Sequence, residues 1–526
     1  MSNIFSDSVR FFLIFLYTEP ITLIKSMPLS IYNTLSRELE TFKPMKQEWV
    51  KVYYCGPTPY NYAHIGNLRA YLFEDFVIRT LRFLGYRVKT VMNITDIDDK
   101  TIRDSQKSGK SLEEFTQFYT EAFLADLEKL SIIPADTIAP ISGLIEDMGK
   151  MIEGLIKKGY AYLSDDGSIY YRVSKFKKYG KLANLDISGM ISSVRIDNDE
   201  YEKDQVADFA LWKVYDLESD GPNKWTISIM IDGEKKILDG RPGWHIECSA
   251  CNYRYFGEQI DIHMGGIDNL FPHHQNEIAQ TEAFTGKTFA KYWLHGGHLL
   301  VDNKKMAKSA GNFYTLRDII EKEKGTPETL ICRAFRLMAL QNNYRENFNF
   351  TFDRLTAGVN TIRGLDELIK RLGRYISKLP EIDTTRNSHG KLKFHDISRE
   401  FRENQQAFMQ EFIEKLEENF DTLGAMTILF EYQSYINSAI DEEIFSIEEA
   451  KSIVDLLRSW NEVIAVLDFS LLEGEKIPEE IEKLAEARML AKKLKDWTEA
   501  DKLRDQILSL GWKMIDEKEG WRVEKI

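Results

Sequence analysis

A chain of 526 residues with a formal net charge of −14 is longer than one hydrophobic core sustains, roughly 250–300 residues, so several domains are expected. Its 43 % hydrophobic and 29 % charged residues exclude a disordered or fibrous class. Its acidity excludes long-range attraction to a polyanion, so any nucleic-acid contact must rest on local basic surface.

The first 26 residues carry the apolar run Phe11 to Tyr17, too short to span a bilayer and interrupted by Glu19-Pro20. Residues 1–26 are read as an extension ahead of a functional start near Met27 in preference to a targeting segment. Residues 50–55 read as a buried strand that ends at the loop Gly56-Pro57-Thr58-Pro59. From Leu68 to Leu84 the apolar residues Leu68, Tyr71, Leu72, Phe76, Ile78 and Leu81 recur at helical spacing until Gly85, and Arg87–Asn93 reads as a second strand. Strand, crossover helix and strand make a βαβ unit of a parallel sheet, whose ligands bind at the carboxyl ends of its strands.

Residues 112–165 are mostly helical by pattern and 166–240 more irregular, with a hairpin of Trp225–Ile231 and Glu234–Leu238 on the Asp232-Gly233 turn. This middle region reads as an insertion. The sheet pattern resumes at Ile260–His263, followed by a helix over about 272–284 stopped by Gly286 and a strand near Tyr292–Leu294. Beyond residue 315 the pattern is almost wholly helical. A polar stretch over 379–395 divides two helical blocks, and 473–478 reads as a linker to a unit of two helices (479–495, 498–510) and a β-like tail around 512–523.

Four cysteines, Cys55, Cys248, Cys251 and Cys332, lack a disulfide-like spacing, which points to a reducing, cytoplasmic setting and leaves thiols available for metal. Six of the nine histidines, His245, His263, His273, His274, His295 and His298, crowd into one stretch. Cys248 and Cys251 form a C-x-x-C, and His273 and Glu277 stand i, i+4 on one helix face, all types that bind zinc. Spacing leaves two ligand sets open: Cys248, Cys251, His273 and Glu277, or a set that recruits Cys55 from the carboxyl edge of the first strand.

His64-Ile65-Gly66-Asn67 lies between a strand and a helix N-terminus, where exposed N–H groups and the helix dipole favour phosphate. Lys305-Met306-Ala307-Lys308-Ser309, followed by Gly311-Asn312, puts two ammonium groups in a small-residue loop able to neutralise a reacting triphosphate. Taken singly, the first is also an ordinary helix cap and the second a solvated basic loop.

These strings, with Asn93-Ile94-Thr95-Asp96-Ile97-Asp98-Asp99-Lys100, Gly243-Trp244-His245-Ile246-Glu247-Cys248 and Phe271-Pro272-His273-His274, resemble the cysteinyl-tRNA synthetases, a branch of the class I aminoacyl-tRNA synthetases. The resemblance runs from about Met27 to the C-terminus. It implies an α/β fold: a Rossmann-type parallel-sheet catalytic domain (27–125 and 230–315) with a connective insertion (126–229). A stem-contact linker (316–350), a helical bundle (351–472) and a small anticodon-end domain (479–526) follow.

The same resemblance implies one Zn2+ per chain, held by Cys55, Cys248, His273 and Glu277, with Cys251 a bystander. Thr95 and Trp244 would line the amino-acid pocket beside Cys55. Gly265, Gly266 and Asp268, with His64, Gly66, Asn67, Lys305 and Lys308, would bind ATP. His64, Asn67, Lys305 and Lys308 would serve the chemistry, with Mg2+ accompanying ATP. L-cysteine, ATP and tRNA(Cys) are the implied substrates of a monomer. Ala307, Met264, Gln275 and Cys251 depart from residues common in the family, yet none removes an implied ligand.

For tRNA contact, Arg488, Lys492 and Lys495 fall near one helical face beside Lys493, and residues 481–526 hold 11 basic against 10 acidic side chains. Trp512 and Trp521 suit either base stacking or a small core. A cysteine ligase acting on an amino-sugar would lack the roughly 200 residues that follow the Lys305 loop. A non-catalytic relative would be expected to lose some of His64, Lys305, Lys308 or the metal ligands.

Overall fold

The computed structural model describes residues 11–12, 24–25, 27–185, 195–196, 208–378, 399–442, 444–473, 478–517 and 520–525. Most of the expected N-terminal extension, the polar divider over 379–395 and most of the 473–478 linker therefore lie outside the described residues. Of the described residues, those within 1–364, 396–438 and 452–467 make one compact unit, and those within 365–395, 439–451 and 468–526 make another.

The larger unit is organised by five parallel strands, β1 (Val50–Tyr54), β2 (Val88–Ile94), β3 (Thr137–Pro140), β4 (Ile260–Gly266) and β5 (Ala290–Gly296). Their order across the sheet is β5-β4-β1-β2-β3. All four pairings are parallel. The chain steps from β1 through helix α1 (Ile65–Phe83) to β2 on one side, and β4 docks on the other side of β1. Strand order thus reverses between β1 and β4, and the crevice at their carboxyl ends is where an open parallel sheet binds ligands. Buried on both faces, the strands read as near-continuous apolar runs such as Val-Lys-Val-Tyr-Tyr.

α1 begins three residues earlier than its apolar spacing suggests because His64 caps it. His64 Nδ1 accepts the Asn67 backbone N–H at 3.1 Å, and Asn67 Oδ1 accepts the His64 N–H at 3.3 Å. This reciprocal pairing satisfies orphan donors at the helix start.

The insertion is more ordered than its pattern implies. Trp225–Ile231, Glu234–Pro242, Asp208–Val214, Ile169–Tyr171 and Ala161–Leu163 form an antiparallel sheet in that order, with Arg195–Ile196 beside Asp208–Val214. The expected hairpin is present. Asp232 and Gly233 both take positive φ, 51° and 83°, the twist a two-residue hairpin turn requires. Ile227, Ile229 and Ile231 are buried while Thr226, Ser228 and Met230 face out. The three-residue strands escaped detection because they are too short to show a period of two. A core through Tyr53, Val91, Phe209, Trp212, Ile246, Ile260 and Trp293 joins this sheet to the parallel one.

Between residues 316 and 464 the regular structure of the described chain is helical apart from Phe348–Phe350, with helices Leu316–Lys322, Glu328–Leu340, Phe352–Lys378, Arg399–Glu417, Thr422–Asp441 and Ile447–Ile464. No described helix is long and apolar enough to cross a membrane.

In the smaller unit Glu479–Lys493, Trp497–Ser509 and the hairpin Trp512–Glu517 with Gly520–Lys525 enclose Ile481, Ala485, Ile507, Trp512 and Met514. Arg488 is not part of an open basic face. It is buried and donates to Asp516 at 2.8 and 3.3 Å and to Met514 Sδ at 3.4 Å, so it fastens helix to hairpin. Lys492 pairs with the same carboxylate at 2.8 Å, and these two cations hold Asp516 down to about 2. Trp512 packs the core, whereas Trp497 is 60 % exposed.

One buried ion pair fixes α1 against the helical region of the larger unit. Arg336 Nη2 donates to Asp75 Oδ2 at 2.6 Å, and Arg336 also donates to the carbonyls of Ile464 and Leu130. Both side chains are 1 % exposed or less. Removing one partner leaves the other charge buried without compensation, which costs about 3–5 kcal/mol. Asp75→Ala is therefore expected to lower stability by that order, read as a fall in the denaturant midpoint of the larger unit. Asp75→Ala combined with Arg336→Met is expected to recover part of the loss.

Candidate metal centre and nucleotide cleft

Cys55 follows β1 directly, so its side chain stands at the carboxyl edge of the sheet. Cys248 projects from helix α2 (Trp244–Phe256), and His273 and Glu277 from the turn Leu270–His274 and the following helix α3 (Gln275–Thr285). Three segments remote in sequence thus deliver four donors to one point. The donor atoms of Cys55, Cys248, His273 and Glu277 all lie within 4.8 Å of one another. Cys55 Sγ is 3.9 Å from Cys248 Sγ and 3.9 Å from Glu277 Oε1, and His273 Nε2 is 3.1 Å from Glu277 Oε1.

Cys251, the alternative ligand left open by the C-x-x-C spacing, joins no such group among the described residues. Three residues along the same helix, its thiol meets Tyr53 instead. A second quartet also meets the distance criterion: Cys55, His263, His274 and Glu277. His263 Nε2 is 3.0 Å from Glu277 Oε2, and His274 Nε2 is 3.5 Å from Cys55 Sγ. The sequence flagged both histidines only as part of a cluster, because no i, i+4 relation links either of them to Glu277.

The chemistry of these donors fits a cation. Burial pushes the Cys55 thiol well above its usual range, and the adjoining Cys248 thiol and charge raise it further. Burial pushes His273 down to about 3, so its imidazole is neutral, the form that binds metal. His273 Nδ1 meets His245 Nδ1 at 3.0 Å, while the buried Nε2 points into the quartet, 3.1 Å from Glu277 Oε1 but without a hydrogen bond among the described residues. A soft divalent ion supplies that nitrogen with a partner and makes the thiolates the stable form. His274 Nδ1 meets His295 Nε2 at 2.8 Å and His295 Nδ1 meets Thr34 Oγ1 at 2.9 Å. These contacts form a second layer that orients the rings.

The quartet opens into a cleft of about 350 Å³. At one end Cys55 and Cys248 line it with Asn93, Thr95 and Trp244; at the other stand His64, Gly66, Asn67, Gly265, Gly266, Asp268, Lys305 and Met306. Trp244 stacks on His273, ring centroids 4.2 Å apart. Asn93 acts as a staple: its Oδ1 accepts from Tyr53 Oη and the Gly56 N–H, and its Nδ2 donates to Thr95 Oγ1. A Cβ on Gly56 would fall 1.6 Å from the Asn93 carbonyl oxygen, so only glycine lets the two loops approach.

The two signature strings adjoin. A Cβ at Gly66 would sit 2.7 Å from Met306 Cε and 2.9 Å from the His64 ring. The Ile65 N–H donates to the Tyr314 carbonyl at 2.9 Å. Asn312 closes the basic loop, accepting from the Ala307 N–H at 2.9 Å and donating to the Lys305 carbonyl at 3.1 Å. The loop is thus held by Asn312 and a backbone N–H that alanine retains. Lys308 begins a 3-10 turn, Lys308–Ala310, and its side chain lies outside the described residues. Asp268 Oδ1 is 3.3 Å from His298 Nδ1.

A five-stranded parallel sheet with a cleft at its switch point, lined by Cys55 and Cys248 and by the His64 and Lys305 strings, has the architecture of a class I aminoacyl-tRNA synthetase. Residues 41–360 match the family described as "tRNA synthetases class I (C) catalytic domain". The cysteine–tRNA ligase of Chlamydia trachomatis serovar A is 43 % identical over 514 residues, covering 95 % of this chain and 100 % of the relative. That of Chlamydia muridarum is also 43 % identical over the same shares. The chain belongs to the cysteine–tRNA ligase family, ATP-dependent aminoacyl-tRNA ligases. The fold is shared further afield. The Agrobacterium radiobacter LeuRS–tRNA–LeuAMS complex superposes with a TM-score of 0.58 at 10 % identity, covering 83 % of this chain and 87 % of that one. Mycobacterium tuberculosis methionyl-tRNA synthetase with methionyl-adenylate gives 0.51 at 14 %, covering 83 % and 92 %.

Substitution separates the two quartets. Cobalt(II) bound to the wild-type protein is expected to show sulfur-to-metal charge-transfer absorption from two thiolates. Cys248→Ser is expected to remove about half of it, and Cys251→Ser and His274→Ala to leave it unchanged. Loss on His274→Ala with retention on Cys248→Ser assigns the ion to the second quartet.

Proposed function

We propose that this chain selects its amino acid by sulfur, using a zinc ion held by Cys55, Cys248, His273 and Glu277. The observation that carries this reading is that the quartet shares a cleft with the phosphate-binding strings. Cysteine and serine differ by one atom, and a pocket that reads shape alone discriminates such near-isosteres poorly. A zinc ion supplies thiophilicity: it stabilises a thiolate, whose free pKa is about 8.5, far more readily than an alkoxide. His263, bonded to Glu277 Oε2 at 3.0 Å, fixes this carboxylate with Oε1 toward the ligand group. Trp244, stacked on His273, and Thr95, held by Asn93, wall the amino-acid end.

Activation joins L-cysteine to ATP. A carboxylate oxygen of cysteine attacks the α-phosphorus, the bond to the bridging oxygen of the β-phosphate breaks, and pyrophosphate leaves with its Mg2+. Gly265, Gly266 and Asp268 cradle the adenosine, and His64, Gly66 and Asn67 receive phosphate at the N-terminus of α1, where exposed N–H groups and the helix dipole favour it. Lys305 and Lys308 neutralise the charge that develops as pyrophosphate departs. A hydroxyl of the terminal ribose of tRNA(Cys) then attacks the acyl carbon and AMP leaves. Positioning and charge neutralisation supply the rate, so no protein general base is required.

In this reading residues 27–125 and 230–315, together with strand β3 (Thr137–Pro140) but without the strand Glu234–Pro242, are the catalytic domain; the rest of 126–229 with Glu234–Pro242 is the connective insertion, 316–350 the stem contact, 351–472 the helical bundle and 479–526 the anticodon-end module. The protein acts as a monomer in the cytoplasm. With Arg488 committed to Asp516, the basic surface of the C-terminal module rests on Lys493 and Lys495, with the exposed Trp497 available for stacking.

Cysteine-dependent ATP–pyrophosphate exchange tests the proposal. Wild-type protein is expected to exchange with cysteine and not with serine, and Cys248→Ser or zinc chelation to abolish exchange while ATP binding survives. Equal exchange with serine contradicts selection by the metal.

A further inference from the structure

Glu74 is the one group in the cleft that the preceding account leaves unexplained. It projects from α1 one turn beyond Tyr71, whose hydroxyl donates to the Cys55 carbonyl at 3.3 Å. It is 2 % exposed, and its Oε2 has no hydrogen-bond partner among the described residues. Yet Glu74 lines the same cleft as Cys55, Thr95 and Trp244. Tyr71, one turn before it, reaches back to the Cys55 carbonyl, which places the carboxyl beside the amino-acid end. Burial alone pushes it well above the usual carboxylate range. An ionised carboxylate buried without a partner is strongly disfavoured, and buried acids are ordinarily paired.

The substrate brings the missing partner. L-cysteine carries an ammonium two bonds from the carbon that bears its sulfur, and an ammonium taken from water into this cleft needs an opposite charge. Among the described residues lining the cleft, two are carboxylates. Asp268 stands at the nucleotide end, 69 % exposed and paired with His298, whereas Glu74 stands at the end where the sulfur is held. We propose that Glu74 is an amino-acid-binding residue that pairs with the α-ammonium of the substrate. Cysteine is then gripped at three points: sulfur by the metal quartet, ammonium by Glu74, and carboxylate aimed at the α-phosphate. Orientation of this kind is what turns a bound carboxylate into an in-line nucleophile. The assignment rests on the activity proposed above.

Glu74→Gln keeps the shape and removes the charge. In pyrophosphate exchange it is expected to raise the KM for cysteine roughly 10- to 100-fold, the loss typical of a hydrogen bond to a charged group, with the KM for ATP and the thermal transition unchanged. Two competing thiols sharpen the reading. Inhibition by cysteamine, which keeps the ammonium, is expected to weaken in Glu74→Gln, and inhibition by 3-mercaptopropionate, which lacks it, to stay the same. An unchanged KM for cysteine, or equal weakening of both thiols, overturns the assignment and makes Glu74 a packing residue. Absence of cysteine-dependent exchange in the wild-type protein instead overturns the activity on which the assignment rests.

Discussion

The structure depends on a convergence of soft and hard donors at the carboxyl edge of one parallel sheet. β1 ends at Cys55, α2 supplies Cys248, and α3 with the turn before it supplies Glu277 and His273. These segments span more than 200 positions of sequence, and neighbouring thiols with a carboxylate so close together gain nothing from one another without a cation. Burial raises the thiol of Cys55 and lowers the basicity of His273. The fold therefore holds a group of donors in the protonation states that a divalent ion meets, thiolate excepted, and the ion itself stabilises the thiolate.

The scaffold gives that centre its partner site. Strand order reverses between β1 and β4, so the loop after β1 and the glycines at the end of β4 face each other across one crevice. Helix α1 starts from the same edge, and its Gly66 lies close against Met306 of the basic loop. Two of the quartet's donors, Cys55 and Cys248, and the residues proposed to receive the triphosphate thereby line one cleft of about 350 Å³, with Glu74 on its wall.

The parallel sheet and its site were readable because their signals are local. A buried strand, a crossover helix stopped by Gly85 and a second strand give the βαβ unit, and Asp232-Gly233 between alternating isoleucines gives the hairpin. His64 and Asn67 are a capping pair as well as a phosphate motif, which is why the helix begins where it does. The inserted sheet was largely hidden, since Ala161–Leu163 and Ile169–Tyr171 are too short to show alternation and pair with strands far along the chain. Arg488 read as part of a basic face because helical spacing reveals which residues share a side, while the Asp516 that buries it comes from the hairpin 28 residues later. His263 and His274 could not be told from core histidines, because only the tertiary fold sets them against Glu277. Glu74 was invisible for the same reason. A carboxylate among apolar helix residues acquires meaning only when its environment shows no partner for it.

Zinc K-edge X-ray absorption of the zinc-loaded protein, recorded alone, with L-cysteine and with L-serine, tests selection by sulfur most directly. The account predicts two sulfur neighbours in the free protein, from Cys55 and Cys248, one further sulfur with cysteine and none with serine. An unchanged sulfur shell on adding cysteine at saturating concentration would contradict it.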